Sequence, residues 1–126
     1  MTATNMNPGV WFEIYVDDMA RAEAFYSAVF DTGFISISDG ELKMRQFDSS
    51  PDAPGISGAL VQTPDMPAGN NSTVIYLGCD DCAIEASRVT AAGGTLVRDK
   101  MSIGEYGFCA LAKDTEGNLF GLHSSR

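Results

Sequence analysis

The 126-residue chain contains few of the groups that bind metals or anions. It has one histidine, His123, three cysteines, and eight lysines and arginines against seventeen aspartates and glutamates. The formal charge of −9 gives no electrostatic attraction to nucleic acid or to anionic membrane surfaces, so we expect neither as a partner. Small anionic metabolites are not excluded, because they respond to local charge.

Long apolar runs are also absent. No segment approaches the roughly 20 apolar residues that cross a bilayer, and Met1–Asn7 lacks the basic start and apolar stretch of a signal peptide. We therefore expect a cytoplasmic protein. The odd number of cysteines is more typical of reduced thiols than of a disulfide framework.

The chain has the composition of one globular domain, which we expect to span residues 1–126. It also contains an internal repeat. The composition is 44% hydrophobic and 20% charged. A shift of 63 positions lays Cys79-Asp80-Asp81 over Val16-Asp17-Asp18, each ending a strand-like run and opening a helix-like one. The repeat predicts units at residues 8–62 and 72–124, joined by the linker 63–71.

Each unit has the pattern of a strand, a helix and three further strands. In the first unit, strands are predicted at 10–16, 34–38, 41–47 and 57–62, with a helix that Asp17 or Asp18 caps and that ends before Gly33. In the second, strands are predicted at 73–79, 95–101, 105–113 and 119–123, with a helix at 81–92. The predicted fold is α+β, with two tandem βαβββ modules forming a curved mixed sheet around a concave cavity.

Several segments carry a family resemblance. They are residues 11–14, 17–19, 24–26, 58–61, 92–94, 103–108, 114–118 and 121–123. With them the chain resembles the vicinal oxygen chelate superfamily (glyoxalase, bleomycin resistance and extradiol dioxygenase proteins), especially small bacterial proteins related to lactoylglutathione lyase. The resemblance covers nearly the whole chain and implies the paired-module fold. It leaves the function open, since this fold hosts isomerases, dioxygenases, fosfomycin-modifying transferases and binding proteins.

The resemblance also implies where a metal would sit. The ligand positions of metal-containing members fall on Trp11 and Gly58 in the first half and on Val74 and Gly121 in the second, and none of these can bind a metal. A chain with one histidine also cannot supply two imidazoles. We therefore expect no metal and no cofactor, with one alternative left open: a site made by His123, Glu13 and a further carboxylate.

Two ionisable residues remain near those positions. Strand alternation places Glu13 on the same face as Trp11, and His123 on the same face as Gly121. One interpretation is a catalytic pair in which Glu13 orients or deprotonates His123, or abstracts a proton itself. The other is a partly exposed His123 at a strand end with Glu13 as its hydrogen-bond partner.

Further residues are predicted to contact a bound ligand. Aromatic side chains can stack on it, glycines let it approach the backbone, and Arg45 matters for an anionic ligand if it faces inward, which the alternation along 41–47 does not decide. The alternative is that the aromatics only fill space and the glycines are ordinary strand residues. The predicted set is Trp11, Tyr15, Arg45, Gly58, Leu60, Val74, Tyr76, Tyr106 and Gly121.

The cysteines are interpreted as structural. Cys79 and Cys82 have the spacing of a redox or zinc half-site, but their repeat equivalents, Val16 and Met19, are apolar, which favours buried thiols. Cys109 is likewise predicted to lie in the core.

Three hypotheses for function follow. The first is a metal-independent lyase or isomerase that uses Glu13 and His123. The second is a non-catalytic protein that binds or sequesters a small organic molecule. The third is an interaction module that dimerises through sheet edges. In each case we expect a homodimer.

Overall fold

The computed structural model describes Asn7 and residues 9–126. Residues 1–6 and Pro8, which the predicted domain and the first repeat unit include, lie outside the described residues. Among the described residues no helix is both long and apolar enough to span a membrane.

Two modules follow one another along the chain, each with a helix after its first strand. The first comprises β1 (Phe12–Tyr15), α1 (Met19–Phe30), β2 (Phe34–Asp39), β3 (Lys43–Phe47) and β4 (Gly58–Gln62). The second comprises β5 (Tyr76–Gly78), α2 (Cys82–Arg88), β6 (Thr95–Ser102), a short 3₁₀ helix (Gly104–Tyr106), β7 (Phe108–Lys113) and β8 (Leu119–Ser124). The predicted α+β fold with tandem βαβββ modules is confirmed.

The modules form two four-stranded sheets rather than one continuous sheet. Their strand orders are β1-β4-β3-β2 and β5-β8-β7-β6. In each, the first and last strands of the module pair in parallel and the remaining pairs are antiparallel. This places β1 and β5 at sheet edges.

The hydrophobic core lies between the helices and one face of each sheet. The strands contribute Ile14, Leu60, Ala110, Ala112, Phe120 and Leu122, and the helices contribute Met19, Ala22, Phe25, Tyr26, Val29, Cys82 and Ala86. We call the sheet surface that points away from these helices the open face. Alternation along β1 puts Ile14 in the core and Glu13 and Tyr15 on the open face.

The repeat assigns faces correctly in β1 and β5 but not in β4. Glu13 pairs with Ala59, and its repeat equivalent Tyr76 pairs with Gly121. Ala59 therefore corresponds to Gly121, and the shift between β4 and β8 is one position shorter than the 63 positions that relate β1 to β5. Because strand side chains alternate, this slip reverses the faces. The prediction that Gly58 and Leu60 lie on the concave face is therefore wrong: Leu60 is buried in the core.

The 3₁₀ helix corrects another boundary. Residues 105 and 106 were predicted to begin a strand, but Gly104 (φ 74°) and Gly107 (φ 103°) have left-handed backbone conformations that break the extended path. β7 therefore starts at Phe108, and Tyr106 lies in the turn before it.

The turn between β7 and β8, residues 114–118, joins the two modules. The side chain of Glu116 is fully buried and accepts hydrogen bonds from the backbone N–H groups of Asp17 and Asp18. Its Oε2 also forms an ion pair with Arg21 Nε at 2.6 Å. Burial alone raises the pKa of Glu116, but the bonds from Arg21, from these N–H groups and from Thr115 lower it to about 2. A residue of the second module thus completes the N-terminus of α1.

The three cysteines are free thiols. Cys82 is buried as predicted, and Cys79 is half-buried against the core. Burial raises the pKa of the Cys79 thiol to about 12. Cys109 corrects the prediction of a core residue: its neighbour Ala110 faces the core, so the half-buried Cys109 lies on the open face.

Candidate functional site

A cavity of about 510 Å³ lies beside the edge strand β1. Its walls come from β1, the linker, the residues leading into β5 and the start of β8. The lining residues are Trp11, Phe12, Glu13, Ile14, Tyr15, Tyr26, Met66, Pro67, Gly69, Asn71, Thr73, Val74, Ile75, Asn118, Leu119 and Phe120. We call this cavity the β1 cleft; its volume is within the range of ordinary small-molecule pockets.

Three side chains at alternate positions form one wall of the β1 cleft. The Trp11 indole N–H donates to Glu13 Oε2 at 3.2 Å, and the Tyr15 hydroxyl donates to Glu13 Oε1 at 2.8 Å. Each carboxylate oxygen therefore has a hydrogen-bond partner, and the carboxylate is held between two aromatic rings. The spacing follows from strand geometry, because residues two apart lie on the same face.

The tyrosine is chemically coupled to the carboxylate. The hydrogen bond to Glu13, partial burial and the charge of Glu13 together raise the pKa of Tyr15 above its ordinary value of 10.0. Loss of the phenolic proton would place two negative charges side by side. At neutral pH Tyr15 is thus a hydroxyl that donates to Glu13.

The opposite wall is held by asparagine amides. The Asn118 amide nitrogen donates to the Tyr15 carbonyl at 2.8 Å, and its oxygen accepts from Gly69 N–H at 2.8 Å. The Asn71 amide donates to the Leu119 carbonyl and accepts from Leu119 N–H. These bonds tie the linker and β8 to β1 and fix the width of the β1 cleft.

The chemistry of the β1 cleft is mainly apolar. Glu13 is its only charged lining residue, and no lysine, arginine or histidine borders it among the residues described. Trp11 is 40% exposed and is available to stack on a flat ligand. The β1 cleft therefore favours a neutral or positively charged organic molecule over an anion.

His123 lies elsewhere. Its Nε2 is 2.7 Å from the Tyr106 carbonyl, and neither residue lines the β1 cleft. Within the part of the chain that the structure describes, Glu13 and His123 share no hydrogen bond. The predicted acid/base pair is not assembled as a contact.

Tyr76 and Gly121 form a small unit on the open face of the second sheet. They are register partners, and a Cβ atom at Gly121 would collide with the Tyr76 ring, which lies across it. Tyr76 is 50% exposed and borders none of the described cavities. The glycine thus accommodates an aromatic ring of the protein itself.

Arg45 faces the helix side of its sheet. It pairs with Asp39 at 2.9 Å and with Glu23 of α1 at 3.5 Å, and it is the register partner of the buried Leu60. Gly58 also turns toward that side, since a Cβ there would meet the Phe12 ring. Of the predicted ligand-contacting and catalytic residues, the β1 cleft brings together Trp11, Glu13, Tyr15 and Val74.

The donor set for a family-type metal does not fit. The implied positions hold Trp11, Gly58, Val74 and Gly121, and none of these has an imidazole or a carboxylate. Because of the slip in β4, Ala59 rather than Gly58 lies on the open face, and alanine has no metal-binding group either. No group of three histidine, cysteine, aspartate or glutamate side chains converges among the described residues. The residues at the implied positions therefore offer no ligand set for such a metal.

Sequence comparison decides the family. A family model for the Glyoxalase/Bleomycin resistance protein/Dioxygenase superfamily matches residues 10–122. The chain belongs to this superfamily. A Mycobacterium tuberculosis protein named "Putative glyoxylase CFP32" is 27% identical over 113 residues, which is 90% of this chain but 42% of that protein. The chain thus spans less than half the length of the curated relatives it matches.

Solved structures of the superfamily share the fold. TnmS3, described as an antibiotic binding protein from Streptomyces sp. CB03234, superposes with a TM-score of 0.69 at 22% identity and covers 98% of both chains. Glyoxalase I from Zea mays gives a TM-score of 0.73 at 18% identity, over 91% of this chain and 43% of that chain. These neighbours include binding proteins and enzymes, so the fold alone does not assign a function.

Sequence reasoning missed the linker side of the β1 cleft. Met66, Pro67, Asn71 and Asn118 line it although they lie in segments interpreted only as linker or turn. The available signal was the asparagine content of these segments, because an amide can bind backbone groups of two neighbouring elements at once.

Proposed function

We propose that this superfamily member binds a small organic molecule in the β1 cleft without a protein-bound metal, as a binding or sequestering protein. The observation that carries the proposal is the single carboxylate of Glu13, held between the aromatic side chains of Trp11 and Tyr15 in an otherwise uncharged cavity. Apolar cavities with a few fixed polar groups are typical ligand sites.

The ligand class follows from the same wall. A planar ring system would stack on Trp11, and an amine or amide N–H would donate to Glu13. An anionic ligand would meet the carboxylate with no cation beside it. A neutral or cationic flat molecule of drug-like size is therefore the expected occupant, and the antibiotic-binding description of the Streptomyces neighbour is consistent with this class.

Binding is favoured over catalysis because the two residues of the predicted acid/base pair, Glu13 and His123, lie apart. Both Glu13 oxygens accept hydrogen bonds from the protein, and His123 contacts a backbone carbonyl outside the β1 cleft. Each Glu13 oxygen keeps a second lone pair that can accept a ligand N–H, but His123 is not placed to exchange a proton with that ligand.

A thermal-shift screen of planar neutral, cationic and anionic compounds tests the proposal. Cationic and neutral hits should raise the melting temperature with concentration and be recovered chemically unchanged by mass spectrometry. Glu13→Gln should weaken a cationic hit about tenfold, as expected for the loss of one charge-assisted hydrogen bond. Tyr106→Ala, at a 73% exposed residue outside the β1 cleft, is the matched control.

Three results would count against the proposal. They are hits confined to anions, equal affinity in Glu13→Gln and the control, and conversion of the recovered ligand to a product.

The second candidate is a metal-independent lyase or isomerase. The observation in its favour is the 2.8 Å contact between Tyr15 and Glu13, which places a proton donor and an acceptor side by side in the β1 cleft. In this function Glu13 abstracts a substrate proton, and His123 assists only if it moves. Turnover that is lost in both Glu13→Gln and His123→Ala, with folding intact, supports it; turnover unchanged in either removes the role assigned to that residue.

For the assembly we propose a homodimer. The edge strands β2 and β6 carry exposed apolar side chains, Ile35, Ile37 and Val97, which a second copy would cover. Light scattering after size exclusion should give twice the monomer mass of 13.4 kDa. A monomeric mass across the micromolar range would contradict this.

A further inference from the structure

Three soft donor side chains occupy neighbouring strands of the second sheet. Met101 on β6 is the register partner of Cys109 on β7, and Cys109 is the register partner of His123 on β8. Directly opposed residues on neighbouring strands have Cβ atoms about 4.5–5.5 Å apart. The thiol is therefore the middle member of a thioether, thiol and imidazole row, which we call the donor row.

The donor row lies on the open face. The residues on either side of Cys109, Phe108 and Ala110, pack toward the core. Lys100, next to Met101, also lies on that side, with its Nζ 4.6 Å from the centroid of the Phe108 ring. Alternation then directs Met101 and Cys109 away from the helices. Met101 is 38% exposed, and Cys109 and His123 are half-buried, so the row is accessible.

The histidine has the tautomer that a metal ligand needs. A carbonyl oxygen only accepts, so the 2.7 Å contact with the Tyr106 carbonyl means that Nε2 of His123 carries the hydrogen. In the neutral ring Nδ1 then has the lone pair, and it has no hydrogen-bond partner within the described part of the chain. Metal-binding histidines commonly donate their other N–H to a backbone carbonyl in this way.

The two sulfurs are also available. Cys109 forms no disulfide. The Met101 sulfur accepts one contact, from Arg98 Nη1 at 3.4 Å, and a thioether has a second lone pair. Because methionine has three rotatable bonds, this sulfur can reach over the middle strand.

We propose that the donor row binds one soft monovalent cation, Cu(I), with Cys109, Met101 and His123 Nδ1 as ligands. Thiolate and thioether sulfurs select Cu(I), whereas zinc sites in proteins use imidazole, thiolate and carboxylate without thioether. None of the three residues lines the β1 cleft, so the site is separate from the proposed binding function.

The binding step balances as a proton exchange. The Cys109 sulfur–hydrogen bond breaks, a sulfur–copper bond forms, and one proton is released to solvent while copper stays monovalent. No oxidant or reductant takes part.

Anaerobic titration of the whole chain with Cu(I), against a chromophoric Cu(I) chelator, tests the site. One equivalent should bind, and X-ray absorption should show two sulfur neighbours and one nitrogen neighbour. Cys109→Ser, Met101→Leu and His123→Ala should each weaken binding about tenfold or more, in line with losses seen on disturbing metal sites. Cys79→Ser, at the other half-buried thiol, is the matched control and should bind as tightly as the unchanged protein.

Two controls keep the test decisive. Circular dichroism and thermal melting of each copper-free variant separate loss of a ligand from loss of folding, and Met101→Leu preserves side-chain volume at a partly exposed position. Unchanged affinity in Cys109→Ser, loss of binding in Cys79→Ser, or preference for Zn(II) over Cu(I) in direct competition would each overturn the proposal.

Discussion

The Tyr15 hydroxyl donates its hydrogen to the Glu13 carboxylate across 2.8 Å, between two residues that share one face of β1. The contact combines an aromatic surface and a negative charge in one wall of the β1 cleft. Because this contact raises the pKa of Tyr15, the titration of Tyr15 shows whether the hydrogen bond to Glu13 is present.

The first prediction concerns that titration. Because the Glu13 hydrogen bond is the main cause of the raised pKa of Tyr15, Glu13→Gln should bring this pKa down toward 10.0. Carbon-13 NMR of ring-labelled tyrosine measures it, with Tyr15→Phe used to assign the signal. A Tyr15 titration that is the same in Glu13→Gln would contradict the hydrogen bond.

The second prediction concerns acid stability. Glu116 has a folded-state pKa of about 2, below the ordinary 4.5, so its contribution to the free energy of unfolding is present above the ordinary pKa. That contribution is lost as the pH falls from about 5 to about 2. Glu116→Gln should lower the free energy of unfolding by about 1.5–3 kcal/mol at pH 7, because it removes the charge of a buried carboxylate that accepts hydrogen bonds from Arg21 and from two backbone N–H groups. The variant should also lose less stability than the unchanged protein as the pH falls. Urea unfolding at several pH values measures the free energy of unfolding of both proteins. If it falls as steeply toward low pH in Glu116→Gln as in the unchanged protein, this account is wrong.

The third prediction concerns a buried hydrogen bond between the modules. The Tyr26 hydroxyl donates to Asp114 at 2.6 Å, and burial together with the Asp114 charge raises the pKa of Tyr26. Tyr26→Phe should cost about 1.5–3 kcal/mol, the range for hydrogen bonds to charged groups. Tyr76→Phe, at a half-exposed ring, should stay within about 0.5 kcal/mol. Equal losses of unfolding free energy in the two variants would show that the hydrogen bond to Asp114 does not stabilise the fold.

The fourth prediction uses two glycines. A Cβ at Gly94 would strike the Lys113 carbonyl and the buried Phe25 ring, whereas a Cβ at Gly78 meets nothing within 4 Å. Gly94→Ala should therefore destabilise by about 1–3 kcal/mol, as overpacking does, and Gly78→Ala should not. Denaturant midpoints distinguish them, and a Gly94→Ala midpoint equal to that of the unchanged protein would show that no such close packing exists.

Much of the fold could be predicted because its signals are local. The helix begins at Met19 after the Asp18 cap, one of the two caps expected, and the Asp81 cap one repeat later has the same extended backbone conformation. Strand alternation correctly put Glu13 with Trp11 and Tyr15. These assignments needed only neighbours in the sequence.

The failures came from relationships that a local pattern does not carry. The one-residue slip in β4 reversed the faces of Gly58 and Leu60, since the loops before β4 and β8 differ and the repeat offset is not constant. Glu116 looked like an ordinary turn residue, yet its partner Arg21 lies 95 positions away. Its role became visible only once the modules were packed.

The placement of Glu116 and Asn118 makes the first module depend on the second. Both belong to the second module, but one completes the first helix and the other holds the Tyr15 carbonyl, while the loop in the equivalent place of the first module, residues 48–57, makes no such bonds to α2 among the described residues. The two modules are therefore not equivalent in the folded chain. The first module takes its helix start and the shape of the β1 cleft from groups of the second, so a chain cut at the linker would lose both.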